Sequence, residues 1–291
     1  MALDSAVIAE RWRNFDFHSR AVLSMAKALA PAYLRVGGTA ADLLIFREKG
    51  SSRSSKFWRE RQSNSSCDEF CPLGAIDLEK GKKRHQFRMS GKDWRKLNDF
   101  VREVGWKMLF DLNVLLRKPS NPRAWSHKNA WHLLDFSSRA GYGDIDFELG
   151  NEPNALRHQL NFTLPGKWLG SDFGRLRLLL NRFPLFINSS IVGPDVNHMP
   201  SKNAFKYLSD VLDYSGDVLD AITWHQYYLD GHVANLDDFT NPKTLDELEG
   251  ALSEVISFVR VTKRNKGPIW LGETSSAYGG GRLNSFFICH S

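Results

Sequence analysis

"DFELGNEPN", Asp146 to Asn154, alternates apolar and polar residues like a strand, then breaks at Gly150-Asn151-Glu152-Pro153. The break sets a carboxylate just past a strand end, between an amide and a ring that has no backbone N–H to donate. Whether this strand stands alone or belongs to a series settles the architecture. Other apolar, β-rich runs occupy 32–38 (AYLRVGG), 107–114, 189–196, 221–228 and 268–274. Between the runs, 14–29, 92–104, 124–140, 169–182, 200–214 and 244–264 carry apolar residues at helical spacing. Strands alternating with helices predict βαβ units and a parallel sheet. Six such units fit a doubly wound sheet or part of a (β/α)8 barrel. "RVGGTAADLL", 35–44, lacks the G-x-G-x-x-G phosphate fingerprint of a dinucleotide fold. Polar and acidic residues cluster instead at the C-terminal ends of several strands, where a barrel keeps its active site.

One segment breaks the rhythm. Residues 47–93 are long, Ser-rich, charged and aperiodic, which marks a functional insertion, a linker or a processed segment. The whole chain, 291 residues with 42% apolar and 25% charged, has an ordinary globular composition. Lys+Arg of 39 against Asp+Glu of 33 gives +6. That balance suits a polyanionic partner such as a sulfated glycan, nucleic acid or an anionic membrane face, and equally suits a slightly basic protein with none. No apolar run reaches the ~18 residues of a membrane span. Cys67, Cys71 and Cys289 lack the second pair or His set of a zinc site, so a disulfide in an oxidising compartment is their alternative use. Sequons begin at Asn64, Asn161 and Asn188, while "MALDSAVIAERW" has neither the basic nor the apolar region of a signal peptide.

Glu152 has a counterpart. "IWLGETSSAYGGG", 269–281, places Glu273 at the end of another buried run, again after a glycine. Alone, Asn-Glu-Pro could merely cap the next helix. Two carboxylates at the ends of separate parallel strands are what glycoside hydrolysis requires, one as acid/base and one as nucleophile or base. Asn151 offers an amide for a sugar hydroxyl. His225, with Tyr227 and Tyr228 behind it, adds a third polar, aromatic strand end.

Five blocks in order, "YLRVGGTAADLLIF" (33–46), "FELGNEPN" (147–154), "GPDV" (193–196), "TWHQYYLDG" (223–231) and "WLGETSSAYGGG" (270–281), resemble the heparanase family of retaining (β/α)8 glycosidases. The resemblance runs from about Leu3 to Gly281 and is weakest over 47–93. It implies Glu152 as acid/base after strand four, Glu273 as nucleophile on strand seven, and endo-β-glucuronidase cleavage of heparan sulfate with no cofactor. It further implies substrate contacts from Asp4, Thr39, Asn151, His225, Tyr227, Tyr278, Gly279 and Gly280. Lys82, Lys83 and Arg84 fall where the family has a heparin-binding cluster. The departures are Asn197-His198-Met199-Pro200 after "GPDV", Gln226 for a second His, Ala6 for an Asn and His232 for an Arg. Relative to the family, residues 1–281 correspond to an incomplete barrel without strand eight or the C-terminal β-sandwich, and 282–291 to an unrelated tail.

Burial and the Glu273 charge are then expected to raise the Glu152 pKa so that it can act as an acid. The partner implied is heparan sulfate or heparin, with peripheral membrane association through proteoglycans and an extracellular or lysosomal setting. The competing reading is a catalytically silent heparan-sulfate-binding relative or an inactive fragment. Nucleic acid ranks last, for want of any recognisable motif.

Overall fold

Seven parallel strands stand in chain order in the computed structural model, which describes residues 1–13, 15–49, 75–77, 82–262 and 267–279. They are β1 (Ala2–Asp4), β2 (Tyr33–Gly37), β3 (Lys107–Leu112), β4 (Ile145–Leu149), β5 (Val192–Val196), β6 (Ala221–Asp230) and β7 (Ile269–Tyr278). β1 to β4 form one ladder and β5 to β7 another. A parallel bridge from Phe147 to Ile191 joins the two. Strand order that never reverses excludes the doubly wound alternative and leaves the barrel. The sheet also curls round on itself. The ring of Tyr33 on β2 lies 5.4 Å from that of Trp270 on β7. Inside, Leu109, Val192, Ala221 and Trp270 pack together although they come from β3, β5, β6 and β7.

Helices on the outside supply the rest of the core. They are α1 (Arg20–Ala28), α2 (Gly91–Val104), α3 (Lys128–Ala140), α4 (Gly166–Leu180), α5 (Lys202–Ser215) and α6 (Pro242–Ser257). α2 shows how sequence sets such a helix. Ser90 and Asp93 form a reciprocal capping box, Gly105 ends the helix at φ 72°, and Trp94, Leu97, Phe100, Val101 and Val104 fall on one buried stripe.

Three segments differ from their sequence reading. Residues 87–93 fold into the framework rather than an insertion: Phe87–Ser90 pairs in parallel with Leu44–Arg47 and α2 starts at Gly91. Residues 50–74 and 78–81 of that segment, with Cys67, Cys71 and Asn64, lie outside the described residues, as do Cys289 and the 282–291 tail. The helix expected from 124 begins at Lys128, because Asn121–Trp125 is a strand paired with Arg117–Lys118. There the Trp125 N–H donates to Asp172 on α4 at 2.9 Å, a tertiary partner that local periodicity does not reveal. The helix expected over 14–29 starts only at Arg20, capped by Ser19.

Candidate active site

Glu152 is aimed by backbone geometry. β4 is buried at all five residues and ends in a turn where Gly150 takes φ 85°. The Gly150 N–H donates to Leu112 O at 3.0 Å and to Asp111 Oδ1 at 2.7 Å. A Cβ at this position would sit 2.6 Å from Val114 Cγ1, so only glycine fits. The Asn151 N–H donates to Asp42 Oδ2 at 3.1 Å, and Glu152 itself takes a left-handed φ of 45°. Its carboxylate is then gripped on both oxygens. Oε1 faces His225 Nδ1 at 3.1 Å; Oε2 accepts from Gln159 Nε2 and Asn197 Nδ2, each at 2.7 Å.

Glu273 is held by side chains instead. It lies within β7, in register with His225 on β6. One oxygen accepts from Arg35 Nη1 at 2.9 Å and the other from the Tyr227 hydroxyl. One oxygen of Glu152, one of Glu273 and a ring nitrogen of His225 all lie within 4.8 Å of one another.

Arg35, buried on β2, is the hub. Its Nε donates to Glu148 at 2.8 Å, and its Nη2 to Asp195 at 2.7 Å and to the Asn151 side-chain oxygen at 3.0 Å. Burial raises the carboxyls beneath the site: Asp42 to about 7, Glu148 to about 8, and Asp111 well above its ordinary range. Asp195 goes the other way, because Arg35 and His225 outweigh its burial and hold it ionised. Burial alone would lower the His225 pKa, but the Asp195 and Glu152 carboxylates outweigh it and raise it to about 10. The ring is therefore an imidazolium at neutral pH. Burial, and next the Glu273 charge, raise the Tyr227 pKa and keep its hydroxyl a donor.

Glu152 departs from expectation. Burial does push its pKa up, but His225, Gln159 and Asn197 all favour the carboxylate and together bring it below its ordinary value. The free site thus holds Glu152 as an anion beside a protonated His225, not as a neutral acid. The Glu152–His225–Glu273 trio has donor atoms for a cation, yet Arg35 already occupies Glu273 and the charged imidazole would have to give up its proton. Its chemistry is that of proton transfer.

The other residues singled out in the sequence distribute unevenly. Asp4 ends β1 and Thr39 follows β2 at the same barrel end, with the Asp4 carboxylate accepting the Ala6 N–H at 2.8 Å and lying against Gly38. The Tyr278 ring stands edge-on to Tyr227 with centroids 6.4 Å apart. Gly279 has φ 83°, and a Cβ there would meet the His232 ring at 2.3 Å. Lys82–Arg84 is a strand paired antiparallel with Ala75–Asp77, and the Gly280 position lies outside the described residues. Arg35, Glu148, Asp195, Gln159 and Asn197 were not anticipated. The one signal for Arg35 was a cation inside the otherwise apolar run "AYLRVGG".

Paired carboxylates at the C-terminal mouth of a parallel α/β barrel are the arrangement that glycoside hydrolysis uses. Comparison with known proteins narrows the class. Residues 9–288 match "Glycosyl hydrolase family 79, N-terminal domain", and the chain belongs to that family. It is 34% identical to heparanase of Gallus gallus over 275 residues, 89% of this chain and 52% of that protein. It is 29% identical to hyaluronoglucuronidase of Hirudo nipponia, covering 97% and 56%. Inactive heparanase-2 of Homo sapiens is also 29% identical, covering 98% and 53%. The chain thus spans about half the length of the curated relatives it matches. Among solved structures, a 4-O-α-L-rhamnosyl-β-D-glucuronidase from Fusarium oxysporum shares the fold, with TM-score 0.54 and 15% identity over 97% of this chain and 55% of that one.

Proposed function

We propose that this chain carries the catalytic centre of a retaining endo-β-glucuronidase that cleaves heparan sulfate. The observation that carries the reading is that one carboxylate oxygen of Glu152 and one of Glu273 lie within 4.8 Å of each other, too close for a water-spanning pair. Retaining enzymes place their carboxyls roughly 5–5.5 Å apart and inverting ones about 6.5–9.5 Å. Glu273, aligned by Arg35 and Tyr227, attacks the anomeric carbon as the bond to the leaving oxygen breaks. The proton shared between Glu152 Oε1 and His225 Nδ1 goes to that oxygen. His225 is then left with its Nε2 proton directed at Asp195 Oδ1, 3.5 Å away. In the second step water attacks the same carbon, Glu152 takes its proton, and Glu273 departs.

The basic balance of the chain and the heparanase relatives support heparan sulfate as the polymer; the leech relative makes hyaluronan the competing substrate. Asn161 and Asn188 are exposed, which accords with a secretory route to the lysosome or matrix and proteoglycan-linked membrane association. A mass shift of the native protein on peptide:N-glycosidase treatment is expected. An unmodified chain from its natural source would remove that support.

The decisive experiment follows the first-formed anomer by NMR during hydrolysis of an aryl β-glucuronide. The β-anomer is expected; the α-anomer would overturn retention. Oligosaccharides of heparan sulfate and hyaluronan, offered side by side, test the polymer. Binding of both with cleavage of neither would establish the silent-relative reading.

A further inference from the structure

We propose that Asp195 is a positioning residue for proton delivery: it keeps Nε2 of His225 protonated, so that Nδ1 is the ring nitrogen that yields its proton to Glu152. Asp195 lies within β5 and takes a left-handed φ of 53°, where the β5–β6 register shifts between Gly193 and Val196. A non-glycine residue in that region is strained and persists only where its surroundings over-determine it. Here they do. The Asp195 N–H donates to Thr223 Oγ1 at 3.0 Å, and Arg35 Nη2 donates to Asp195 Oδ2 at 2.7 Å. The strained backbone leaves Oδ1 facing His225 Nε2 across 3.5 Å. Both atoms are buried, and among the described residues neither has another hydrogen-bond partner. Gly272 on β7 closes the space around them, since a Cβ there would stand 3.4 Å from each.

The other ring nitrogen looks the opposite way. Nδ1 lies 3.1 Å from Glu152 Oε1 and 3.8 Å from Glu273 Oε2. The charged groups around the ring are Glu152 after β4, Glu273 of β7 and Asp195 of β5, with Arg35 of β2 and Glu148 of β4 acting through charge. A neutral imidazole carries one proton, and the group facing each nitrogen decides which one keeps it. Arg35 holds Asp195 ionised, and an ionised carboxylate only accepts. The proton therefore stays on Nε2. The Nδ1–H bond is the one that breaks as an O–H bond forms at Glu152 Oε1, and from there the proton passes to the leaving oxygen. It forms again when Glu152 returns the proton taken from water. With the opposite tautomer the ring would retain its proton on Nδ1 and deliver nothing. This assignment rests on the acid/base role of Glu152 proposed above.

The test reads the ring itself, by nitrogen NMR of the full chain labelled at histidine, with the His225 signals assigned by their loss in His225→Gln. In the unsubstituted chain both ring nitrogens are expected to be protonated at neutral pH. As pH rises, Nδ1 should lose its proton and Nε2 should keep it. Loss from Nε2 first would overturn the proposal without any substitution at 195. Asp195→Asn then inverts the arrangement: Arg35 draws the amide oxygen, the amide NH2 turns to Nε2, and the neutral ring should carry its proton on Nδ1. With that tautomer kcat on a polymer is expected to fall about 100-fold or more. Formation of the covalent intermediate from a 4-nitrophenyl glucuronide, whose leaving group needs no proton, should fall less than about 10-fold. An unchanged tautomer in Asp195→Asn, or equal losses on the two substrates, would reduce Asp195 to a structural role and overturn the proposal. Failure of the hydrolase reading would show instead as no cleavage by the unsubstituted chain, which the ring signals do not depend on.

Discussion

β4 and β7 each deliver one carboxylate to the candidate site, and they do it by opposite means. β4 is buried along its whole length, and Glu152 stands three residues beyond it in a turn fixed by Gly150. Of the ten residues of β7 only Ala277 is buried, and Glu273 sits within the strand. Glu152 is placed by backbone and core; Glu273 is placed by the Arg35 and Tyr227 side chains. A defect near Glu152 should therefore appear first as lost stability, and one near Glu273 as lost rate.

The largest effect expected is that of Glu273→Gln, which removes the proposed nucleophile and should drop turnover of an aryl β-glucuronide below detection with the melting temperature unchanged. Glu152→Gln should lower kcat on a polymer about 100- to 10,000-fold, the usual worth of general acid catalysis. With a 4-nitrophenyl leaving group, which needs no proton, formation of the covalent intermediate should be nearly spared. Equal loss on both substrates would mean that Glu152 is not the acid. Tyr227→Phe removes a hydrogen bond to Glu273 and should cost about 10- to 100-fold in kcat without a change in melting temperature. A fall in stability there would erase the contrast between the strands.

The two glycines that precede the glutamates sharpen it further. Gly150→Ala forces a Cβ into Val114 at a left-handed φ and should cost about 2 kcal/mol or more, a fall of roughly 4–8 °C in melting temperature. At Gly272 the nearest atoms to a Cβ are 3.4 Å away, an ordinary contact, so Gly272→Ala should melt within about 1 °C of the parent. Differential scanning calorimetry of the pair decides it.

The smallest effect is a matter of pH. Gln159 and Asn197 donate to the charged form of Glu152, so removing them raises its pKa. The proton to be delivered is shared between Glu152 and His225 and is lost as pH rises, and a carboxylate stripped of its amide donors holds that proton more tightly. The alkaline limb of kcat/KM should therefore move to higher pH in Gln159→Ala/Asn197→Ala. A limb that stays put, or moves to lower pH, would show that the amides do not set the acid. The same shift has a stability counterpart. A depressed carboxyl contributes above its unfolded pKa and is lost as pH falls through the folded value, so the double variant should gain least from raising pH across the acid range.

Much of the architecture was legible because strand ends announce themselves. β2 to β7 lie where the apolar runs lie, and both glutamates follow a glycine that punctuates such a run. What periodicity could not deliver was anything fixed by partners distant in sequence. Arg35 is one cation in an apolar strand, and its role exists only through its acceptors. Trp125 reads as the start of a helix until Asp172 accepts its N–H. The Glu152 pKa was misjudged for the same reason: burial can be inferred from a strand end, but the opposing donors lie 7, 45 and 73 residues away.

Arg35 also bears on how the chain reaches its native state. Its four acceptors lie 113, 116, 160 and 238 residues further along. Contacts of such range are slow to form, since loop-closure entropy must be overcome before they stabilise anything. During synthesis Arg35 emerges long before β4, β5 and β7, and until they arrive its guanidinium has no place in an apolar interior. An early collapsed state is therefore destabilised by the very residue that locks the finished one. The last of the four acceptors, Glu273, is in place only once β7 has docked.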